Sequence, residues 1–121
     1  MKIYVGHSRE FDFQNELYIP LRKSRLNTIH EIILPHEKSE EPFPSKEILK
    51  RCNVMIAEVS HPSTGLGIEI GWANSFGVKI ICIFKKGCTP SKSLTAITDK
   101  FVEYCDEREM IEGIEKQLQK L

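Results

Sequence analysis

The stretch NVMIAEVSHPSTGLGIEIGWANSFGVKIICIF, residues 53–84, decides the fold. Its two ends, NVMIAEVS (53–60) and VKIICIF (78–84), are nearly continuous β-branched and apolar runs, the pattern of central parallel strands covered on both faces. Between them a glycine-rich turn runs into an apolar helical pattern, so the stretch reads as strand, helix, strand. Working outward, KIYVG (2–6) is a short β run. FDFQNELYIPLRKSRL (11–26) sets Phe13, Leu17 and Leu21 four apart on one helical face, with Pro20 expected to kink or divide it. HEIILPHE (30–37) contains a second strand. EKSEEPFP (37–44) is a charged, proline-bearing loop, either a solvated connection or a lid. SKEILKRC (45–52) is a short helix with Ser45 as N-cap. On the C-terminal side, FVEYC (101–105) is the last strand. DEREMIEGIEKQLQKL (106–121) is an amphipathic helix with Met110, Ile114 and Leu118 at four-residue intervals and Ile111 beside them. This alternation predicts an α/β fold over residues 1–121: a single-domain, doubly wound, Rossmann- or flavodoxin-like, five-stranded parallel sheet with helices on both faces.

Composition narrows the function. The 121 residues are 40% hydrophobic and 28% charged, enough for one domain with a real core. Lys plus Arg and Asp plus Glu each number 17, so no net field is present to hold a polyanion, and a nucleic-acid polymer is not an expected partner. MKIYVGHS reads as a first strand rather than a signal peptide, and VKIICIF is far too short to span a membrane. A cytoplasmic protein is expected. Cys52, Cys82, Cys88 and Cys105 show no C-x-x-C spacing and read as reduced thiols in or near the core. His7, His30, His36 and His61 show no metal-ligand spacing, so neither metal nor cofactor is expected.

On such sheets ligands lie outside the carboxyl ends of the strands. Three segments fall there: Gly6, His7, Ser8 and Arg9 after the first strand; Ser60 to Gly67; and Lys85 to Ser93 after VKIICIF. Glycines at 65, 67 and 71 are one position too widely spaced for the dinucleotide fingerprint G-x-G-x-x-G, and the G-K-[ST] ending of a Walker loop is absent. Glu69 argues the same way, because a carboxylate at the first helical turn would repel a pyrophosphate placed there. Two readings of Glu69 stay open on spacing alone. It complements the helix dipole, or it is aimed into the cleft as a nucleophile or base held ionised by backbone N–H groups.

Residues 53–84, and within them the core A-E-V-x-x-P-S-x-G-x-G-x-E-x-G (57–71), resemble the nucleoside 2-deoxyribosyltransferase family, nearest to its 2'-deoxynucleoside 5'-phosphate N-hydrolase branch. The likeness runs from I-Y-V-G to F-V-E-Y. It implies that Glu69 attacks the anomeric carbon of a 2-deoxyribosyl group, expels the base and forms a glycosyl-enzyme intermediate. It implies that Tyr4 orients that carboxylate. It also implies a substrate pocket formed by Gly6, His7, Ser8, Arg9, Ser45, Ser63, Gly65 and Gly67. Ser63 stands where transferases acting on free nucleosides commonly carry a carboxylate, and a hydroxyl, unlike an aspartate, can donate to a 5'-phosphate. Ser45 stands where the family usually has an aspartate that assists departure of the base. Either another group such as Glu40, Glu41 or a water takes its part, or activity is weak, or nucleotides are bound without turnover. Glu58, in the same core motif, is either functional or structural. Ser93 and Thr95 match a region that family members lend to a neighbouring subunit, which implies a homodimer or higher homo-oligomer with shared sites, built through the helix bearing Trp72 and Phe76. The expected activity is N-glycosidic cleavage of deoxynucleoside 5'-monophosphates. Base exchange between deoxynucleosides, or nucleotide binding without turnover, are the alternatives.

Overall fold

A computed structural model describes residues 1–121. Strands β1 (Lys2–His7), β2 (Glu31–Ile33), β3 (Val54–Glu58), β4 (Lys79–Lys85) and β5 (Phe101–Tyr104) form one sheet in the order β2-β1-β3-β4-β5. Every pairing is parallel. Successive side chains of a strand point to opposite faces, and here both faces are covered. Ile3, Val5, Val54, Ile56, Ile81 and Ile83 pack in one apolar cluster with Leu17, Leu21, Met110 and Ile114. Tyr4, Met55, Ala57, Ile80 and Cys82 pack in a second with Leu49, Leu66, Ile70 and Ala73. Burial on both sides is the physical reason that these strands read as unbroken apolar runs rather than alternating ones.

The helices are α1 (Ile19–Lys23), α2 (Arg25–Ile29), α3 (Ser45–Leu49), α4 (Thr64–Ser75) and α5 (Glu107–Gln119), with a π-helical turn at Gln14–Tyr18 and a 3₁₀ turn at Lys92–Ala96. Pro20 does not divide the first helical segment. The N–H of Ile19 bonds back to the carbonyl of Gln14, and this widened turn accommodates a ring that would clash with the carbonyl four residues earlier in a regular α-helix. The division falls instead at Ser24, whose ψ of 165° is extended. Ser45 is not a helix cap either: Pro44 holds that position and Ser45 is the first residue of α3. On α5, Met110, Ile114 and Leu118 are the buried residues, as their spacing predicts, and the Asp106 side chain accepts the N–H of Glu109 at 2.8 Å to cap the helix. All four cysteines are free thiols, with Cys52 and Cys82 buried and Cys105 exposed. No helix is long and apolar enough to cross a membrane.

Candidate active site

The strand order places β1 between β2 and β3, so the segments that follow these three strands meet at one edge of the molecule. A cleft of about 790 Å³ opens there, the position where the winding of the sheet reverses direction. It is lined by the turn after β1, the loop after β2 with the start of α3, and the first three turns of α4 with the residues just before it. The expectation that residues 85–93 would join this site is therefore corrected. β4 lies one strand further along the sheet, and Lys85 and Lys86 border a separate depression with Glu16 and Tyr104. The loop after β2 takes their place.

Helix α4 has two working faces. Leu66, Ile70 and Ala73 are buried against the sheet, while Gly65, Ile68, Glu69 and Trp72, at helical spacing on the other side, line the cleft. Because α4 starts at Thr64, Glu69 lies in its second turn, beyond the reach of the helix dipole's useful field. The dipole reading of Glu69 fails. Backbone N–H groups do not hold the carboxylate; the Tyr4 hydroxyl does, donating to Glu69 Oε2 at 2.6 Å. The Ser45 Oγ lies 2.7 Å from the same phenol oxygen. Since the Tyr4 proton is committed to Glu69, the Ser45 hydroxyl is the donor in that second contact. Tyr4 is fully buried, and burial followed by the adjacent Glu69 charge pushes its phenol far above the ordinary range, so it stays a neutral donor.

Gly6 follows Tyr4 by two residues on the same face of β1. A Cβ there would lie 2.5 Å from the Met55 methyl, 3.1 Å from Leu66 Cδ1 and 3.3 Å from Glu69 Oε1. Gly6 thus leaves room for the carboxylate and is not itself a ligand-facing group, a correction to its expected role. His7 lines the cleft with its ring 7% exposed and both nitrogens engaged, Nδ1 with the Ser8 carbonyl at 2.8 Å and Nε2 with the Tyr18 hydroxyl at 2.6 Å. Only a protonated Nδ1 can donate to that carbonyl. Burial lowers the His7 pKa to about 4, so the ring is neutral and Nε2 accepts from Tyr18, whose oxygen in turn accepts the His36 N–H. The buried Ser8 hydroxyl accepts the N–H of Glu10 at 3.1 Å and shapes the turn.

Arg9 is exposed at the cleft and reaches across it. Its Nη2 donates to the His36 ring at 3.0 Å and to the Glu40 carbonyl at 3.2 Å. Burial and then the Arg9 charge lower the pKa of His36. Ser63 is the N-cap of α4, its Oγ accepting the N–H of Leu66 at 3.5 Å, and it lines the cleft together with Gly65. Gly67 is one residue out of phase for that face and borders a neighbouring apolar hollow of about 280 Å³ with Ser63, Ser93 and Ile97. Ser93 and Thr95 sit on the exposed 3₁₀ turn, outside this chain's own cleft. Glu58 resolves to a structural role. Buried at the end of β3, it accepts from the Ser60 N–H at 2.7 Å, from the Ser60 hydroxyl at 3.0 Å and from Tyr104. Glu40 and Glu41, named as substitutes for a proton donor, do not line the cleft. The cleft residues that the sequence did not reveal include Glu10, His36, Phe43, Lys46, Glu47 and Ile68. Trp72, expected at a subunit interface, also lines the cleft, and its position three after Glu69 on a helix was the available signal for that.

No protein-family model matches the sequence. The human 5-hydroxymethyl-dUMP N-hydrolase is 44% identical over 39 residues, which is 32% of this chain and 22% of that protein. The Esox lucius protein of the same name is 43% identical over 51 residues, 42% of this chain and 34% of its own length. The matches therefore cover well under two thirds of these relatives. Among solved structures, a CMP N-glycosidase of Clostridium botulinum superposes with a TM-score of 0.66 at 22% identity, over 95% of this chain and 99% of that one. The fold is that of the nucleotide N-glycosidases and deoxyribosyltransferases. A 2-deoxyribosyltransferase from Leishmania mexicana shares it at a TM-score of 0.54 and 17% identity, over 69% of this chain and 63% of that one. Both names agree with the family resemblance carried by the core motif, and in this deoxyribosyltransferase-type fold the Glu69 cleft lies at the carboxyl ends of the paired strands β1 and β3.

Proposed function

We propose that this protein cleaves the N-glycosidic bond of 2'-deoxynucleoside 5'-monophosphates through a covalent glycosyl-Glu69 intermediate. The observation that carries the reading is the Glu69 carboxylate in the cleft, fixed at 2.6 Å by a buried, neutral Tyr4 phenol. A carboxylate so fixed presents its free oxygen to C1' of a sugar, stabilises the oxocarbenium character that develops there, and divides one hard displacement into two easier ones. Water completes the second step in a hydrolase, and a second base completes it in a transferase.

The 5'-phosphate reading rests on what surrounds the far end of the cleft. The first N–H groups of α4, at Thr64 and Gly65, have no partner within the helix and point outward with the positive end of the helix dipole. Arg9 supplies a guanidinium on the opposite wall. The names of the curated relatives, which specify a nucleoside monophosphate, support the same substrate class. Ser93 and Thr95, exposed and away from their own Glu69, suit the arrangement in which each subunit completes its neighbour's site. Incubation with deoxynucleoside monophosphates, and separately with a deoxynucleoside plus an acceptor base, followed by chromatography of the products, separates hydrolase from transferase. Free base and deoxyribose 5-phosphate support the proposal. A newly formed nucleoside moves the assignment to the transferase, and no product in either reaction leaves a nucleotide-binding protein. Ser63→Asp adds a second check: like charge against the phosphate should lower kcat/KM for a monophosphate by at least about tenfold relative to its nucleoside.

A further inference from the structure

Phe43, Pro44 and Ser45 together fix where the Ser45 hydroxyl points. The N–H of Ser45 donates to the Phe43 carbonyl at 2.7 Å, and Pro44 between them has φ −74° and ψ 60°, the geometry of an inverse γ-turn. The proline ring locks that φ, so the turn is stiff before any ligand arrives. Because Pro44 holds the cap position of α3 and Ser45 is its first residue, the Ser45 hydroxyl is not engaged in closing the helix end. The turn is also seated against the support of Glu69. The Phe43 and Tyr4 rings pack with their centres 6.4 Å apart, and Ser45 itself is buried.

The Ser45 hydroxyl has one hydrogen and two acceptors in reach, the Tyr4 phenol oxygen at 2.7 Å and the Phe43 carbonyl at 3.4 Å. The Glu69 carboxylate takes the Tyr4 proton, which leaves the phenol oxygen as an acceptor for Ser45, and the shorter contact is the one made. This donation has a consequence for the carboxylate. Burial and then the Glu69 charge push the Tyr4 phenol up, and the Ser45 hydrogen bond works against both. A phenol whose oxygen accepts a hydrogen bond is more acidic, and it gives a stronger hydrogen bond to Glu69 in turn.

We propose that Ser45 is a positioning residue for the nucleophile: aimed by the Phe43–Pro44–Ser45 turn, it acts through the Tyr4 hydroxyl to fix Glu69 Oε2 and leaves Oε1 for C1' of the sugar. This rests on the glycosidase reading above and adds to it a group that works without touching sugar or base. All three members of the relay belong to one chain, so it is complete whatever a second subunit brings to the cleft.

A double-mutant cycle tests this, with kcat and KM for a deoxynucleoside monophosphate in wild type, Ser45→Ala, Tyr4→Phe and the double variant, each beside a melting curve. Loss of one neutral hydrogen bond should lower kcat roughly 3- to 10-fold in Ser45→Ala and keep KM within about twofold, because the group removed makes no substrate contact. In the Tyr4→Phe background the same change should lower kcat no further, since the hydroxyl through which Ser45 acts is already gone. Ser45→Thr keeps the donor and should stay within about threefold of wild type. A raised KM with kcat unchanged would make Ser45 a substrate contact, and equal losses with and without the Tyr4 hydroxyl would make it an independent group. A lowered melting midpoint with kcat per folded molecule unchanged would make it structural only, and Ser45→Thr as slow as Ser45→Ala would contradict donation by a hydroxyl. Each of these overturns the inference while leaving the glycosidase intact. No cleavage by the wild type overturns the glycosidase reading, and this inference with it.

Discussion

The proposed chemistry depends on a pair of residues, Tyr4 and Glu69, that lie 65 positions apart and meet at 2.6 Å. Tyr4→Phe keeps the buried ring and removes only the hydroxyl. A hydrogen bond to a charged group contributes about 1.5 to 3 kcal/mol, so kcat/KM should fall roughly 10- to 100-fold with little change in thermal midpoint, read by steady-state kinetics beside a melting curve. A large loss of stability with unchanged activity would make Tyr4 a packing residue only. Glu69 and Tyr4 were legible in the sequence because they belong to a local motif and a first strand whose family likeness is specific. Ser45 was legible as a departure from that pattern but not as the donor to Tyr4, since that contact exists only once β1 and α3 are side by side. The enclosed ring of His7 was not legible for the same reason. Its partners Phe13 and Tyr18 come from the next segment and enclose the ring, stacked against Phe13 at 4.4 Å.

Elements were easier to read than their ends. The strands of both sheet faces announced themselves through continuous apolar runs, and α5 through a four-residue rhythm. Pro20 and Ser45 were misplaced because a widened turn and a tertiary hydrogen bond override what proline and serine do locally. Gly113, inside α5, shows the same competition in a measurable form. Alanine there should gain about 0.5 to 1 kcal/mol of helix propensity, yet its Cβ would lie 2.3 Å from Val102 Cγ1 on β5, a stiff β-branched neighbour. Overpacking of this kind costs about 1 to 3 kcal/mol, so Gly113→Ala should be destabilised by roughly 1 kcal/mol or more in a urea titration, with activity per folded molecule unchanged. A stabilised variant would mean that α5 moves off the sheet easily.

For the whole molecule, the doubly wound topology was legible, while the strand order, and with it which loops meet, was not. Placing β1 beside β2 brings residues 36–44 to the cleft in place of residues 85–93, and nothing in the spacing of apolar residues encodes that choice. The fold also has a pH signature. His7 has its pKa lowered from 6.5 to about 4, so between these values the unfolded chain binds a proton that the folded one does not. The His7 contribution to stability should therefore be full above pH 6.5, fall by about 3 kcal/mol as the pH drops toward 4, and level off below, where both states of that ring are protonated. His30 and His36, also lowered, act in the same direction and more weakly because they are less buried. Denaturant titrations at stepped pH check this, and His7→Gln should flatten the slope across that window. Covalent glycosylation of Glu69 can be read by mass spectrometry after incubation with a 2'-fluoro-arabino deoxynucleotide, whose fluorine slows breakdown of the intermediate. One fluorosugar phosphate is expected on the peptide containing Glu69 and none in Glu69→Gln; release of base with no adduct, or an adduct on another residue, would overturn the proposed mechanism.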